Sequence, residues 1–163
     1  MDIILRPIQL QDLGNAQQLY YDTINRVNIK DYNSEQVAVW SSNRDDTERW
    51  QNRLHTQYFI IAEQDNNLVG MASLTPEGYL DLMYVHYAWQ GKGIASVLLR
   101  ELESKARQQG NVLITTDASI TARSFFESRG FAEVAQQSVN VKGVDLTNYK
   151  MAKRLELTTN QAT

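Results

Sequence analysis

The stretch Gln90-Gly91-Lys92-Gly93-Ile94-Ala95 decides the interpretation of this chain. It follows an apolar run, Leu80 to Val85, and precedes residues 94 to 106, where apolar side chains recur at spacings of three and four. These patterns predict a buried strand and then a helix. A glycine-bearing turn between the two points several free main-chain N–H groups at one place. The stretch therefore predicts a site for an anion, most often a nucleotide pyrophosphate.

Composition limits the class of protein to which the chain belongs. It has 163 residues, of which 42% are hydrophobic and 21% charged, as expected of one folded soluble domain. The net charge is −3 with scattered Lys and Arg, so we expect no nucleic-acid or membrane-surface partner. The absence of cysteine excludes disulfides and thiol chemistry, and the two unpaired histidines favour no metal site. Without a signal peptide or an apolar run of spanning length, we expect a cytoplasmic protein.

The order of the predicted elements favours a mixed sheet flanked by helices over a wholly parallel one, because strand and helix alternate only late in the chain. Residues 2–157 are expected to form one domain, and residues 158–163 a polar tail. In chain order we expect a strand at 3–6, a helix at 12–27, a helix capped by Asn33 or Ser34, a helix with a capping box of Asp45 and Glu48, strands at 58–63, 68–74 and 79–86, a helix ending at Gly110, a strand at 112–116, a helix at 121–128, and a closing hairpin of 131–141 and 144–155.

Two nucleotide-binding patterns fit the glycine stretch poorly. The ATPase phosphate loop reads G-x-x-x-x-G-K-[ST], whereas Lys92 is followed by Gly93. The dinucleotide fingerprint has a third glycine where this chain has Ser96, although Asp117 ends the next strand about where a ribose-binding acid belongs. The preceding helices and strand hairpin also disfavour the dinucleotide fold.

A third pattern matches at each fixed position. Gln90-x-x-Gly93-x-Ala95 resembles the pyrophosphate loop of the GCN5-related N-acetyltransferases (GNAT), which reads Gln or Arg, two residues, Gly, one residue, then Gly or Ala. Further on, ARSFFESRGF at 122–131 resembles their second motif, A-x-x-F-Y-E-x-x-G-F. The resemblance covers about residues 2–156. It implies the acyl-CoA N-acyltransferase fold, an α/β architecture with a mostly antiparallel sheet, a splayed parallel strand pair and flanking helices.

The resemblance also implies a site for acetyl-CoA as co-substrate, without a metal. The main chain of Met83, Tyr84 and Val85 is then expected to hold the pantetheine arm and the thioester, with one N–H facing the carbonyl oxygen. Lys92 either adds charge to the phosphate site or is an ordinary surface lysine. The remaining expected contacts are Gln90, Gly91, Gly93, Ile94, Ala95 and Ser96 at the pyrophosphate, with Ser119 and Phe126 on the second strand and helix.

Acetyl transfer to an amine needs a group that removes a proton, because an alkyl ammonium has a pKa of about 10. Alternation along the central strand places Tyr79, Asp81, Met83 and Val85 on one face. Asp81 is the single carboxylate inside this strand, so it is the candidate base or ammonium anchor. The alternative is a buried acid bonded to backbone or to an arginine.

Phe126 stands where the family usually has a tyrosine that protonates the leaving thiolate. Three alternatives stay open: another tyrosine such as Tyr149, a water molecule, or departure of the thiolate without a proton. The last is acceptable because a thiol has a pKa of about 8.5. His86 could carry protons or cap the strand end.

The acceptor is expected to enter over the N-terminal helices, where Tyr20, Tyr21, Tyr32 and Trp40 either line its pocket or pack in the core. The sequence predicts an N-acetyltransferase that transfers acetyl directly to a primary amine, favouring a small molecule. The alternatives are an enzyme modifying protein N-termini or lysines and a non-catalytic acyl-CoA-binding module. The closing hairpin is a candidate homodimer contact.

Overall fold

A seven-stranded mixed sheet forms the centre of the computed structural model, which describes residues 2 to 156. The strand order is β1-β2-β3-β4-β5-β7-β6, and every neighbouring pair is antiparallel except β4 and β5. The strands are β1 Ile4–Pro7, β2 Tyr58–Gln64, β3 Asn67–Leu74, β4 Tyr79–Val85, β5 Leu113–Ser119, β6 Ala132–Val141 and β7 Val144–Arg154. The helices are α1 Leu13–Arg26, α2 Ser34–Ser41, α3 Thr47–Thr56, α4 Ile94–Gln108 and α5 Arg123–Ser128. The predicted fold class is confirmed.

Residue 157 and the predicted polar tail at 158–163 lie outside the described residues, and the single-domain boundary stays a prediction. Over the described range, no helix combines the length and the apolar character needed to cross a membrane.

Apolar side chains fill both faces of the sheet. On one face α4 buries Leu98 and Leu102 against strand residues such as Ile114. On the other face α1 and α3 bury Ile24 and Trp50 against a second set of strand residues. Each fully buried side chain of this size contributes about 1.5–3 kcal/mol. The two layers therefore fix the helices on which the candidate site depends.

Several element boundaries differ from the expectation by one to three residues, and two of these differences are the start of α3 and the end of β5. The predicted capping box of Asp45 and Glu48 is wrong by one residue, because Asp45 still belongs to a 3-10 turn and Asp46 accepts the N–H of Arg49 at 3.3 Å. Strand β5 continues to Ser119, three residues beyond the predicted end at 116, because its pairing with β7 continues. This extension places Asp117 within the sheet. The predicted cap of α2 is confirmed at Asn33, whose side chain accepts the N–H of Gln36 at 2.8 Å.

Candidate active site

A cleft opens where β4 and β5 separate. The two strands are paired at Tyr79 with Thr115 and at Leu80 with Thr116, and nowhere beyond along the described strands. The cleft has a volume of about 450 Å³. Its lining comprises Asn28, Trp40, Leu80, Asp81, Met83, Tyr84, Val85, Trp89, Gln90, Gly91, Gly93, Ile94, Ala95, Ser96, Thr116, Asp117, Ala118, Ser119, Thr121, Ala122, Phe125, Phe126 and Arg129.

A β-bulge at Asp81 changes which side chains of β4 face each side. Leu80 pairs with Leu74 and Leu82 with Ser73, so Asp81 has no partner of its own on β3. An extra residue in one strand reverses the alternation that follows it. Met83 and Val85 consequently belong to the core beneath α4, whereas Asp81 contacts α3 on the other face. The prediction that Asp81 shares a face with Met83 and Val85 is therefore wrong.

The main chain of β4 faces the open gap at two positions. His86 donates its N–H to Val69 on β3 at 2.8 Å. Because main-chain direction alternates in an antiparallel pair, Met83 and Val85 direct their N–H and C=O groups away from β3, toward the gap. The Gln90 side chain donates to the Val85 carbonyl at 2.6 Å, so that acceptor is occupied. The main-chain N–H and C=O of Met83 and the main-chain N–H of Val85 stay available to a ligand.

The glycine loop leads into α4 with its amides unpaired. Gly91 and Gly93 have φ values of 73° and 84°, which the left-handed region allows glycine at little cost. Helix α4 begins at Ile94, and its first main-chain bond runs from the Val97 N–H to the Gly93 carbonyl. Within the described residues, the amides of 91–96 have no hydrogen-bond acceptor. This arrangement is a cradle for a phosphate at a helix N-terminus.

Replacing Gly93 with alanine tests this geometry. A Cβ would meet no atom within 4 Å, but a left-handed φ costs an L-residue roughly 1–2 kcal/mol. Relief of that strain would re-aim the α4 amides, so we expect coenzyme A affinity to fall about tenfold, equivalent to about 1.4 kcal/mol. Calorimetric titration with coenzyme A measures the effect.

Gly14→Ala is the matched control. Gly14 lies in helix α1, also with no atom within 4 Å of an added Cβ, but without a positive φ. Alanine there is expected to stabilise the protein by about 0.5–1 kcal/mol and to leave coenzyme A affinity unchanged. Equal affinities for both variants would contradict a role for the left-handed Gly93.

Arg129 is a cradle residue that the sequence reasoning missed. Its guanidinium donates to the Ser96 hydroxyl and lies 5.4 Å from the centroid of the Phe125 ring. It thus places a cation beside the unpaired amides. Lys92 lies outside the lining, with its ammonium 6.0 Å from the Trp89 ring centroid. The signal for Arg129 was its place inside the second motif, directly before Gly130.

The second wall of the cleft comes from the end of β5 and the start of α5. Ser119 accepts the Ala122 N–H at 3.1 Å and lies 3.5 Å from the Asn28 amide nitrogen. The Thr121 hydroxyl is buried in the lining without a protein partner among the described residues. Phe126 is 2% exposed and packs edge-on against Phe131. This wall offers one unpaired hydroxyl and an apolar ring to a ligand.

Comparison with known proteins identifies the family. The family model described as the GNAT acetyltransferase domain matches residues 28–153. The chain belongs to the GNAT family. N-acetyltransferase YafP of Escherichia coli K12, itself uncharacterized, is 30% identical over 150 residues, which are 92% of this chain and 95% of YafP.

Solved structures agree with the assignment. A GCN5-related N-acetyltransferase from Rhodopseudomonas palustris is 32% identical, with a TM-score of 0.92 over 95% of this chain and 97% of its own. The PaiA N-acetyltransferase from Thermoplasma acidophilum, solved with coenzyme A, shows the same fold at 19% identity, with a TM-score of 0.75 over 94% of this chain and 99% of its own. The protein is an acetyl-CoA-dependent N-acetyltransferase.

Acetyl-CoA is the co-substrate of GNAT enzymes, and its chemistry fits this cleft. Its phosphates suit the unpaired amides of 91–96 and the Arg129 guanidinium. Its amide groups suit the main-chain N–H and C=O of Met83 and the Thr121 hydroxyl. Among residues 2–156, no three His, Asp or Glu side chains are grouped where they could hold a metal ion.

Of the four aromatic residues predicted for the acceptor side of the GNAT site, Trp40 alone lines the cleft. The Tyr20 hydroxyl donates to the Trp40 carbonyl at 3.1 Å, and its ring packs in the core. The Tyr32 hydroxyl accepts the Ile120 N–H at 2.9 Å and donates to a β7 carbonyl, so it ties the sheet to α2. Tyr21 lies under the guanidinium of Arg44, at 4.5 Å. These three tyrosines make structural contacts and do not line the cleft, which favours the alternative to a role in the acceptor pocket.

The candidate catalytic side chains are both engaged elsewhere. Asp81 lines the cleft, but one of its oxygens accepts from Arg53 Nε and Gln57 Nε2, each at 2.9 Å. Tyr149 lies on β7 under the Arg123 guanidinium at 4.3 Å, outside the lining. His86 accepts the Ala88 N–H on Nδ1, which is a capping contact. The structure thus favours the structural alternative for Asp81 and leaves its catalytic role a prediction.

Two tyrosines on β4 keep their protons at neutral pH. Burial raises the pKa of the Tyr84 hydroxyl well above its usual value of 10.0. Burial, and then the hydrogen bond to Asp117, raise the pKa of Tyr79, whose hydroxyl donates to Asp117 Oδ2 at 2.9 Å. Both phenols can therefore act as hydrogen-bond donors and not as bases.

Proposed function

We propose that the enzyme acetylates a small primary amine. The observation that carries this proposal is the lining of the cleft beyond the cradle, which includes the rings of Trp40 and Tyr84 and the carboxylates of Asp81 and Asp117. Aromatic faces and carboxylates attract an organic ammonium ion. Helices α1 and α2 pack over the same face of the sheet, which supports a compact acceptor.

The proposed transfer is direct, within a ternary complex. The chain has no cysteine to carry an acetyl group, so the amine attacks the thioester itself. The N–H groups of Met83 and Val85 face the gap and can stabilise negative charge on the thioester oxygen. The cradle at 91–96 and Arg129 hold the phosphates and thereby position the thioester along β4.

The leaving group needs no phenol in this proposal. Phe126 cannot donate a proton, and Tyr149 lies outside the lining under Arg123. A thiol with a pKa of about 8.5 departs as a thiolate at modest cost near neutral pH. We therefore assign the protonation of the thiolate to solvent. The same pKa makes the release of coenzyme A easy to follow with a thiol reagent.

A thiol-release assay with acetyl-CoA tests the proposal. The acceptors are a panel of alkyl and arylalkyl amines, amino acids, and peptides with free N-termini or lysines. We expect release with one or more of the small amines, and an acetylated product by mass spectrometry. Turnover of peptides alone would assign the enzyme to protein modification. Tight coenzyme A binding without release from any acceptor would favour a binding module.

Two further features stay proposals. We propose a cytoplasmic location, and the chain has no cysteine and hence no disulfide that would need an oxidising compartment. Strand β6 lies at the edge of the sheet, with Val134 63% exposed, so the closing hairpin stays our candidate for a homodimer contact. Light scattering on the purified protein measures its mass in solution.

A further inference from the structure

Asp117 lies at the point where β4 and β5 diverge. Leu80 and Thr116 form the last pair of the two strands, and the next residue on each strand is an aspartate that lines the cleft. The Tyr79 hydroxyl reaches Asp117, and the charges of both aspartates contribute to the raised pKa of Tyr79, after its burial. Two carboxylates therefore flank the closed end of the cleft.

The two aspartates differ in the charge around them. Asp81 forms an ion pair with Arg53, whose side chain is 8% exposed. Asp117 accepts from two neutral groups, Tyr79 at Oδ2 and Gln137 Nε2 at Oδ1, each at 2.9 Å. Of the two, Asp81 has its charge balanced within the protein, whereas Asp117 keeps a net negative charge facing the cleft.

Among residues 2–156, no lysine or arginine forms an ion pair with Asp117, although the charge of Arg49 on α3 reaches its partner Tyr79. Lys150 stands directly across on β7, but it is exposed, and no lysine or arginine nitrogen of residues 2–156 comes within 4.0 Å of the Asp117 carboxylate. Arg129 lies at the cradle, where it bonds Ser96. The Asp117 carboxylate is exposed and lines the cleft, so it is accessible to a cationic ligand there.

The carboxylate is held in place and still has acceptor capacity. A carboxylate has about four lone-pair positions, and Tyr79 and Gln137 occupy one on each oxygen. Gln137 also donates to Asn148 on β7, which fixes its own amide. The two remaining positions can accept hydrogen bonds from a ligand in the cleft that Asp117 lines.

We infer that Asp117 binds the ammonium group of the acceptor and takes its proton. The inference rests on the proposed acetylation of a small amine. The ammonium gives one proton to the Asp117 carboxylate, and the freed nitrogen pair attacks the thioester carbonyl. The C–N bond forms, the C–S bond breaks, coenzyme A leaves as a thiolate, and the second proton of the nitrogen passes to solvent. Tyr79 and Gln137 are positioning residues for Asp117.

Asp117→Asn is the test, with Asp81→Asn and Lys150→Met as comparisons. Loss of a general base lowers turnover about 10²–10⁴-fold, so we expect kcat/KM for an alkyl amine to fall in that range in Asp117→Asn. Coenzyme A affinity should stay unchanged, as should kcat/KM in Lys150→Met. Tyr79→Phe, which removes one hydrogen bond to Asp117, should lose about tenfold.

The basicity of the acceptor separates a base from a merely structural residue. The loss in Asp117→Asn should be greatest for amines of pKa about 10 and should shrink for weakly basic amines, which arrive already deprotonated. A uniform loss across the amines would overturn the proton-transfer role. Loss of turnover in folded Asp81→Asn, with Asp117→Asn near normal, would assign the base to Asp81 instead.

Binding measurements keep the inference separate from the proposed function. Alkyl amines are titrated calorimetrically into the enzyme saturated with coenzyme A, a measurement that needs no turnover. We expect binding that weakens at least tenfold in Asp117→Asn and is unchanged in Lys150→Met. Asp117-dependent binding without acetylation would contradict the proposed function and support the ammonium site. Equal amine binding by the wild type and Asp117→Asn would overturn the ammonium site.

Discussion

Replacement of Ala122 with tryptophan is expected to weaken coenzyme A binding at least 100-fold, equivalent to about 2.7 kcal/mol. Ala122 lies at the start of α5, is half-buried, and lines the cleft between β4 and β5. An indole ring there would occupy the space in which we place the pantetheine arm. The ring would obstruct the path between the two strands, although it fills only part of the cleft of about 450 Å³. Calorimetric titration with coenzyme A gives the affinity.

The expected loss should come without unfolding. Ala122 packs at the edge of the core and also lines the cleft, into which the added ring would extend, so we expect the melting temperature to fall little. Ala135→Trp is the matched control, because Ala135 is exposed on β6 and lies outside the lining. It should bind coenzyme A like the wild type. Normal affinity in Ala122→Trp would show that the arm does not lie between β4 and β5.

The cofactor half of the site could be predicted from sequence because its determinants are local. Gly91 and Gly93 adopt the positive φ angles that their residue type allows, and the helix that follows begins at Ile94. A main-chain cradle depends on this short segment and on few distant contacts. The same locality explains why the cap at Asn33 was found. Elements defined by neighbours in sequence are those that periodicity and capping rules describe well.

The catalytic half could not be predicted in the same way. The bulge at Asp81 shows itself only in the register of β3 against β4, and strict alternation along the strand gave the wrong face. The pairing of Asp81 with Arg53 joins residues on β4 and α3 that have no sequence signal in common. Asp117 appeared in the sequence only as a candidate ribose ligand, because its partners Tyr79 and Gln137 come from other strands. Side-chain contacts across the sheet decide these roles.

Asp81→Ala is expected to lower the free energy of unfolding by about 3 kcal/mol, the lower end for breaking a buried pair by removing one partner. Asp81 is 18% exposed at the cleft, whereas the Arg53 side chain is 8% exposed and lies 4.8 Å from the Trp50 ring centroid. Removing the carboxylate therefore leaves a buried guanidinium without its counterion. At this chain length the change corresponds to a melting temperature lower by about 6–12 °C. Chemical unfolding and calorimetry measure both quantities.

Removing the whole pair should cost far less than removing half of it. Apolar replacement of a buried ion pair is often neutral or stabilising, so Arg53→Met combined with Asp81→Leu should recover most of the stability lost in Asp81→Ala. Arg53→Met alone should be milder than Asp81→Ala, since water in the cleft can solvate the remaining Asp81 carboxylate. A double variant as unstable as Asp81→Ala would show that the bulge needs its carboxylate for a reason other than the charge of Arg53. Recovery of stability would show that Asp81 stabilises the protein by neutralising Arg53, and so by joining α3 to β4.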